Sequence, residues 1–552
     1  MSKYLTRFNN IPFFTILTAL VISIFYAVTI YYSYNFPLQD DSGDGLRTVS
    51  TFLSENKPFS YLLKNHSEHR VVFYRLLYIL DNMIFGGFNY IRLIFYGNLS
   101  ILVLFVMIIK NFSFKINSLE TFTIALILFV PIDRLSNWAL CAVSSQWPYV
   151  FIFAAILLLK HKTNSLLYFV LAVLSSALAL LTFGNGIAVI PICILFLVLN
   201  KWKAIYPIIY SSFAIGLVYL YFLNLDVPSH RPELTELLRY NFFDLVGFCI
   251  ILPVAIFRDF ISSNFILVML GAFISGVFLY VFFRNWKSII KLNKIYFFLA
   301  MILTVGLVSQ GRAASGLHYA LIGRYQIVSS LFIAIWYCFI LVDESVNTKN
   351  IKYSIVIIGL FLFFNRYSNN ICDLENRVVQ LKKEHISFLE DYDIEKSKNT
   401  TLIKRCEDLG YFDVDKGVSY GDQFSKTSET FSVNQIDDAV ESEFNVREKD
   451  DLIIIRGFSY FKEYSTLGLQ KKLVAFDVNR NLYFVSKPID DPKVNVTKTK
   501  KNVSGLFLKD ADFKNTFHKN YCSLPPGTYK FGIFISKKGK TFMNLSQKQI
   551  DI

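Results

Sequence analysis

Charge is scarce in this chain. Only 18% of its 552 residues are Asp, Glu, Lys or Arg, against about a quarter in a soluble globular protein. The seven Cys are scattered, with no CxxC pair and no metal-type spacing. Cys141, Cys193, Cys249 and Cys338 fall in or beside apolar segments, as packing residues do. Cys372, Cys406 and Cys522 fall in the polar tail, where an oxidising compartment would allow one pair, unspecified, to form a disulfide. His161, His230, His385 and His518 stand too far apart to read as a ligand set. There is no Walker motif, no GxSxG, no HExxH and no dinucleotide-binding glycine fingerprint. There is no internal repeat either.

What the chain has is apolar surface. Hydrophobic residues make up 53%, aromatic residues 17%, with 55 Phe and 32 Tyr, and the mean hydropathy is +0.41. A soluble globule cannot hide that much, so lipid must be the solvent for much of it. The net charge of +14 is not a nucleic-acid signature, because Lys and Arg sit in short clusters between apolar runs, as the positive-inside rule requires. The fold class expected is an all-α polytopic membrane protein with a C-terminal, mostly β domain facing water.

Lys3 and Arg7 precede an apolar run over 11–32, read as a signal anchor with a cytoplasmic N-terminus. A long outward loop, 34–89, follows. Further spans are expected over 90–109, 118–132, 147–160, 164–182, 187–200, 204–224, 263–283, 294–309, 325–342 and 352–365, giving about eleven crossings. The basic joints Lys110/Lys115, Lys160/Lys162, Lys201/Lys203 and Lys349/Lys352 read as cytoplasmic. Residues 246–257 are apolar but short and contain Pro253, so they read as re-entrant, which keeps the basic joint after Arg284 inside. The membrane domain is expected to end at 366. A charged, partly helical connector covers 367–450, and alternating segments over 451–552, at 452–456, 472–478, 482–485, 506–509 and 529–536, predict a small β-sandwich.

The outward loop opens with Gln39-Asp40-Asp41-Ser42-Gly43-Asp44. Three carboxylates at a membrane surface pack poorly but make a good general-base or cation site. Then come His66-Ser67-Glu68-His69-Arg70, Arg75 and Asp81. Arg70 and Arg75 suit a phosphate, and Glu68 or His69 would orient a base or meet an acceptor hydroxyl. Residues 71–88 are too charged to span and read as an interfacial amphipathic helix. A second cluster is Gln310-Gly311-Arg312, His318 and Gly323-Arg324-Tyr325, where the planar Arg fork favours a phosphate clamp. Phe183-Gly184-Asn185-Gly186 breaks two apolar runs and offers Asn185 to a sugar hydroxyl. Trp138 and Trp147, with Gln146, offer stacking faces for a sugar ring. Against each stands a bland reading: a solvated loop, a snorkelling Arg, a tight turn, an interfacial aromatic belt.

An inward N-terminus, an outward loop opening on paired acids, interfacial helices, many spans and an outward tail together resemble the GT-C class of integral-membrane glycosyltransferases. Gln39-Asp40-Asp41, Glu68-His69-Arg70 with Arg75, Phe183-Gly184-Asn185-Gly186 and Gly323-Arg324-Tyr325 carry the likeness, which covers residues 1–366. Within the class the chain looks most like bacterial and phage glucosyltransferases that modify O-antigen in serotype conversion. The resemblance implies an undecaprenyl-phosphate sugar as donor and a lipid-linked glycan as acceptor, with inversion at the anomeric carbon. It implies Asp40 or Asp41 as base and Arg70, Arg75, Arg312 or Arg324 on the departing phosphate. Asp44, Glu68, His69, Asn185, Trp138, Trp147 and Tyr325 would then line the substrates. It implies a bacterial inner-membrane location with the tail periplasmic. No protein metal site is expected, although some class members use a divalent cation, Mg or Mn, toward which Asp40, Asp41 and Asp44 supply part of an oxygen shell.

Three other readings compete, one of them a sugar-binding or scaffold protein with no catalysis, which only loss of activity on mutating the acids would exclude. An O-antigen polymerase also has many spans and Arg-rich outward loops, and Arg312 and Gly323 stand in the R-x10-G spacing of that family. A glycan flippase or transporter would place charged or broken segments near mid-membrane, whereas the acids here lie in a loop.

Overall fold

A computed structural model describes residues 13–412 apart from 39, 67–68, 133–134, 226–234, 236–237, 240, 259, 262, 292–293, 343–347 and 392–397. Beyond 412 it describes 425–426, 440–449, 452–461, 470–480, 482–488, 512–518, 524–537 and 540–552. The chain divides into two compact units, 1–374 with 405–413, and 375–404 with 414–552.

The first unit is helical. The first helix, α1 (Phe13–Tyr31), is followed by a nine-residue π-helix, Asp41–Val49, and by α2 (Val72–Phe85). Helices α3 (Tyr90–Phe112), α4 (Leu119–Leu128), α5 (Ala139–His161), α6 (Leu166–Thr182), α7 (Val189–Leu199) and α8 (Ile205–Phe222) come next. Then come α9 (Phe242–Ile251), α10 (Asn264–Lys291), α11 (Ile295–Arg312), α12 (Gln326–Val342), α13 (Thr348–Asp391) and α14 (Lys398–Asp408). Among the described residues, seven helices are long and apolar enough to cross a membrane, and four shorter apolar helices accompany them. That is fewer than the expected eleven, because α4, α6 and α7 run short of a bilayer's hydrocarbon thickness and the expected span 352–365, in α13, is not among the seven.

Two features place the outer rim. α3 and α5 cross in backbone contact at Gly97, where a Cβ would lie 2.4 Å from the Ala142 Cβ and 2.8 Å from its carbonyl carbon. That crossing positions the N-terminal turn of α5. Helix α9 ends in a 3-10 turn, Leu252–Phe257, tied to α12: the Ser329 hydroxyl donates to the Pro253 carbonyl at 2.8 Å and accepts the Ile256 amide at 2.9 Å. The Pro in that segment removes an amide, and Ser329 satisfies two of the backbone groups freed there.

Helix α2 is the amphipathic element expected over 71–88. It buries Val72, Tyr74, Arg75, Tyr78 and Asp81 and exposes Leu80, Met83, Ile84 and Phe85. The expected boundary at 366 falls inside α13, which continues to Asp391; Arg366 itself is fully buried.

The second unit holds two antiparallel sheets. One runs β1 (Ser425–Lys426), β5 (Leu482–Pro488), β4 (Gln470–Asp477), β7 (Thr528–Lys537), β8 (Lys540–Asp551); the other runs β2 (Val440–Lys449), β3 (Leu452–Phe461), β6 (Asp512–His518). Val446, Ile453 and Ile455 of the smaller sheet pack with Leu473, Ala475, Phe531 and Ile533 of the larger. The expected strand at 506–509 lies outside the described residues, as does Cys522; Cys406 is a buried free thiol.

Candidate active site around the first loop

The acids of the first loop are sorted by the π-helix. Its wider turn sends Asp41 and Asp44 inward and leaves Asp40, just ahead of it, with 55% of its side chain exposed. Asp41 Oδ1 accepts the Tyr74 hydroxyl and, at 3.0 Å, the Leu140 amide. Leu140 lies in the first turn of α5, whose amides have no partner within the helix. The Tyr74 and Tyr78 hydroxyls meet at 2.8 Å. Gly45 lets Tyr78 in, since a Cβ there would sit 2.5 Å from the phenol oxygen. Burial pushes the Asp41 carboxyl up to about 7, although the bonds from Tyr74, Leu140 and Leu38 act the other way.

Asp44 is held differently. Arg75, fully buried, donates Nε to its Oδ2 at 3.0 Å and a terminal nitrogen to its Oδ1. The other terminal nitrogen donates to the carbonyls of Leu62 at 2.5 Å and Lys64 at 2.7 Å. His66 Nδ1 lies 3.4 Å from Asp44 Oδ1, and His66 Nε2 lies 3.8 Å from Asp40 Oδ2. Burial would raise the Asp44 carboxyl, but His66 and Arg75 outweigh it and hold it below the usual carboxylate range. Arg70 spends its donors on carbonyls of Tyr221, at 2.7 Å, Leu63 and Leu223. The two arginines offered by the first loop for a phosphate are thus engaged by protein acceptors. They staple the loop to itself and to the end of α8.

The Phe183-Gly184-Asn185-Gly186 segment opens a 3-10 turn, Gly184–Ala188. Gly186 abuts the Ala179 carbonyl, 2.0 Å from a would-be Cβ. The His69 ring lies 3.8 Å from that of Phe183, and a Cβ on Gly184 would stand 2.9 Å from His69 Nδ1. His69 therefore joins the first loop to this turn. Asn185 Nδ2 donates to the Tyr149 hydroxyl at 2.9 Å. Arg312 Nε donates to the Tyr325 hydroxyl at 2.9 Å, and the Arg324 guanidinium lies over the Tyr325 ring at 5.0 Å. Arg366 donates to Gln326, the next residue. Two arginines named from sequence and one that was not thus surround a single turn, Gly323–Tyr325.

Trp138 caps α5 and is buried, so it offers no open stacking face. Trp147 donates to the Tyr96 carbonyl at 3.0 Å and packs against Phe73 and Phe151. Glu68 lies outside the described residues. Sequence reasoning passed over His66, Tyr74, Tyr149 and Arg366. The i, i+4 spacing of Tyr74 and Tyr78 beside Arg75 is the one signal that pointed to a polar inner face. Among the described residues no three His, Cys, Asp or Glu side chains converge as a metal-ligand set. Asp41 and Asp44 take donors from Tyr74, Leu140 and Arg75 on the oxygens a cation would need.

No protein-family model matches the chain, and no curated protein matches it. Among solved structures it is similar to the archaeal oligosaccharyltransferase AglB from Archaeoglobus fulgidus in complex with an inhibitory peptide and a dolichol-phosphate. The identity is 11% and the TM-score 0.34, over 75% of this chain and 61% of that one. So distant a likeness assigns no residue and no activity here.

Proposed function

We propose that this chain is a GT-C-type membrane glycosyltransferase. It would move a sugar from an undecaprenyl-phosphate carrier to a lipid-linked cell-surface glycan such as O-antigen. One observation carries the proposal: of the three loop acids, Asp41 and Asp44 are engaged by protein donors, while Asp40 is open. His69 connects its loop to the Gly184–Ala188 turn, which packs against α11, the helix that ends at Arg312.

In this mechanism Asp40 takes the proton of the acceptor hydroxyl. The acceptor oxygen attacks the anomeric carbon, the bond to phosphate breaks, and its electron pair leaves on the phosphate. Arg312 and Arg324 stabilise that developing charge, which is worth most at a water-poor rim. Asn185 and Tyr325 contact the sugar. Arg70 and Arg75 shape the loop instead of binding phosphate. No step uses a cation. The seven long helices, the short α4, α6 and α7, and the apolar half of α13 make up about eleven crossings, with α9 and its 3-10 turn re-entrant.

The test is an in-cell glycan assay by mass spectrometry against a deletion strain, with insertion checked. Asp40→Asn is expected to abolish sugar addition, and a chelator applied to isolated membranes to leave it intact. A fully active Asp40→Asn would sink the assignment. A deletion that shortens the polysaccharide would favour a polymerase.

A further inference from the structure

Between the open acid and the clamped one stands a side chain that the mechanism above does not use. His66 and His69 close a tight turn through two backbone bonds, His66 N–H to His69 O at 2.7 Å and His69 N–H to His66 O at 2.9 Å. Those bonds need no imidazole. The His66 ring is nonetheless drawn in, with 17% of its side chain exposed, and each of its nitrogens faces a carboxylate. Nδ1 faces Asp44, whose charge Arg75 fixes, so Nδ1 carries a hydrogen. Nε2 faces Asp40 across 3.8 Å, an ion-pair distance longer than a hydrogen bond.

We infer that His66 is a positioning residue for the transfer: as an imidazolium it is anchored by Asp44 and holds the Asp40 carboxylate in the orientation that takes the acceptor's proton. This rests on the reading of Asp40 as the base. The described charged groups that face the ring are Asp40 and Asp44 at the π-helix and Arg75 of α2; His69 shares its turn. Burial works against the imidazolium, as does Arg75, but the contact with Asp44 and the charge of Asp40 outweigh both and raise its proton affinity above the ordinary histidine value. Because His66 already carries its proton, it does not receive the one taken from the acceptor. Asp40, exposed, passes that proton to water.

The chain of roles has a direction. Arg75 orders Asp44, Asp44 orders His66, and His66 orders Asp40. Only the last of these touches substrate. The contribution is present while His66 is charged and is lost as pH rises through its raised pKa. The expected signature is therefore a falling alkaline limb in kcat that belongs to His66.

The experiment compares wild type, His66→Ala, His66→Gln and Asp40→Asn as full-length protein in detergent or membranes. It reads kcat, donor KM, the pH profile and the amount of folded protein. His66→Ala is expected to lower kcat by roughly 10- to 100-fold with donor KM little changed, a loss in the range of partners that orient a reacting group without touching substrate. His66→Gln keeps a donor toward Asp40 without a titrating ring. It is expected to recover part of kcat and to lose the alkaline limb. An alkaline limb that persists in His66→Gln overturns the inference, as does a loss in His66→Ala that follows only the amount of folded protein. If His66→Ala does not fold, the His66→Gln profile decides alone. Full activity in Asp40→Asn would instead overturn the reading of the base itself, whatever the His66 variants do.

Discussion

At the scale of single residues, two adjacent acids have opposite fates. Asp40 and Asp41 are indistinguishable in sequence, and either one fits a general base. What separates them is the direction of the π-helix, which no composition or period encodes, and the arrival of Tyr74 and the Leu140 amide from distant segments. Asp41 is consequently a pH-dependent stability element. Its carboxyl titrates at about 7 in the folded protein, against about 4 in an unfolded chain. Protonation therefore favours the folded form. That contribution is complete below pH 4 and is lost as pH rises to 7, an effect of roughly 4 kcal/mol at most. The Tm of the wild type in detergent is expected to fall from about pH 4 to about pH 7 and to level off above that. Asp41→Asn, which keeps an acceptor for Tyr74 and Leu140 and has nothing to titrate, is expected to show a flatter curve. Equal slopes would mean that Asp41 is ionised throughout.

At the scale of elements, legibility followed pattern strength. The amphipathic α2 announced itself through alternating charge and apolar residues, and the core strands β3, β4, β5 and β7 through apolar alternation. The strands that went unread are β2, β6 and β8, rich in Lys, Glu, Asp and Gln. Each pairs on one side only within its sheet. Edge strands carry charge to discourage further pairing, and that charge erases the signal by which strands are found. The far half of α13 was legible as helical but not as one helix with the preceding span, because apolarity stops at Arg366 while helix does not. The Phe183-Gly184-Asn185-Gly186 turn makes a paired prediction from the two glycines' different neighbours. In Gly184→Ala the new methyl meets the ends of two movable side chains, His69 Nδ1 at 2.9 Å and the Tyr221 hydroxyl at 3.2 Å. The fold should persist, with activity falling as the joint between loop and turn opens. In Gly186→Ala it meets the Ala179 carbonyl at 2.0 Å. Backbone must move, at a cost of about 1–3 kcal/mol, and folded yield should drop first. Wild-type activity in Gly184→Ala would remove His69 from any part in the site.

At the scale of the whole molecule, the two ends of the membrane part are tied together on one side. Residues 405–412, which belong to the same compact unit as the first loop, pack against it. Phe88 N–H donates to the Tyr411 carbonyl at 2.7 Å, the Phe412 ring meets Tyr90 at 5.6 Å, and Arg405 pairs with Glu55 at 3.1 Å. Cys406 is buried in the same place. These contacts have a topological consequence that a count of spans cannot deliver. If α1 crosses a membrane, residues 405–412 and the first loop share the face it emerges on, whatever the number of crossings between them. The sequence left this open because one misjudged span reverses the tail, and the short helices are where such misjudgement falls. The Arg405–Glu55 pair is exposed and worth little to stability by itself, which makes it a good place to probe. Replacing Glu55 and Arg405 with cysteines, in a background lacking the native ones, is expected to leave the fold intact. A short bifunctional thiol reagent that does not cross membranes should then join them, and only from the side on which the first loop is labelled. Labelling of the two positions from opposite sides would break the shared face, and with it the packing of residues 405–412 on the first loop.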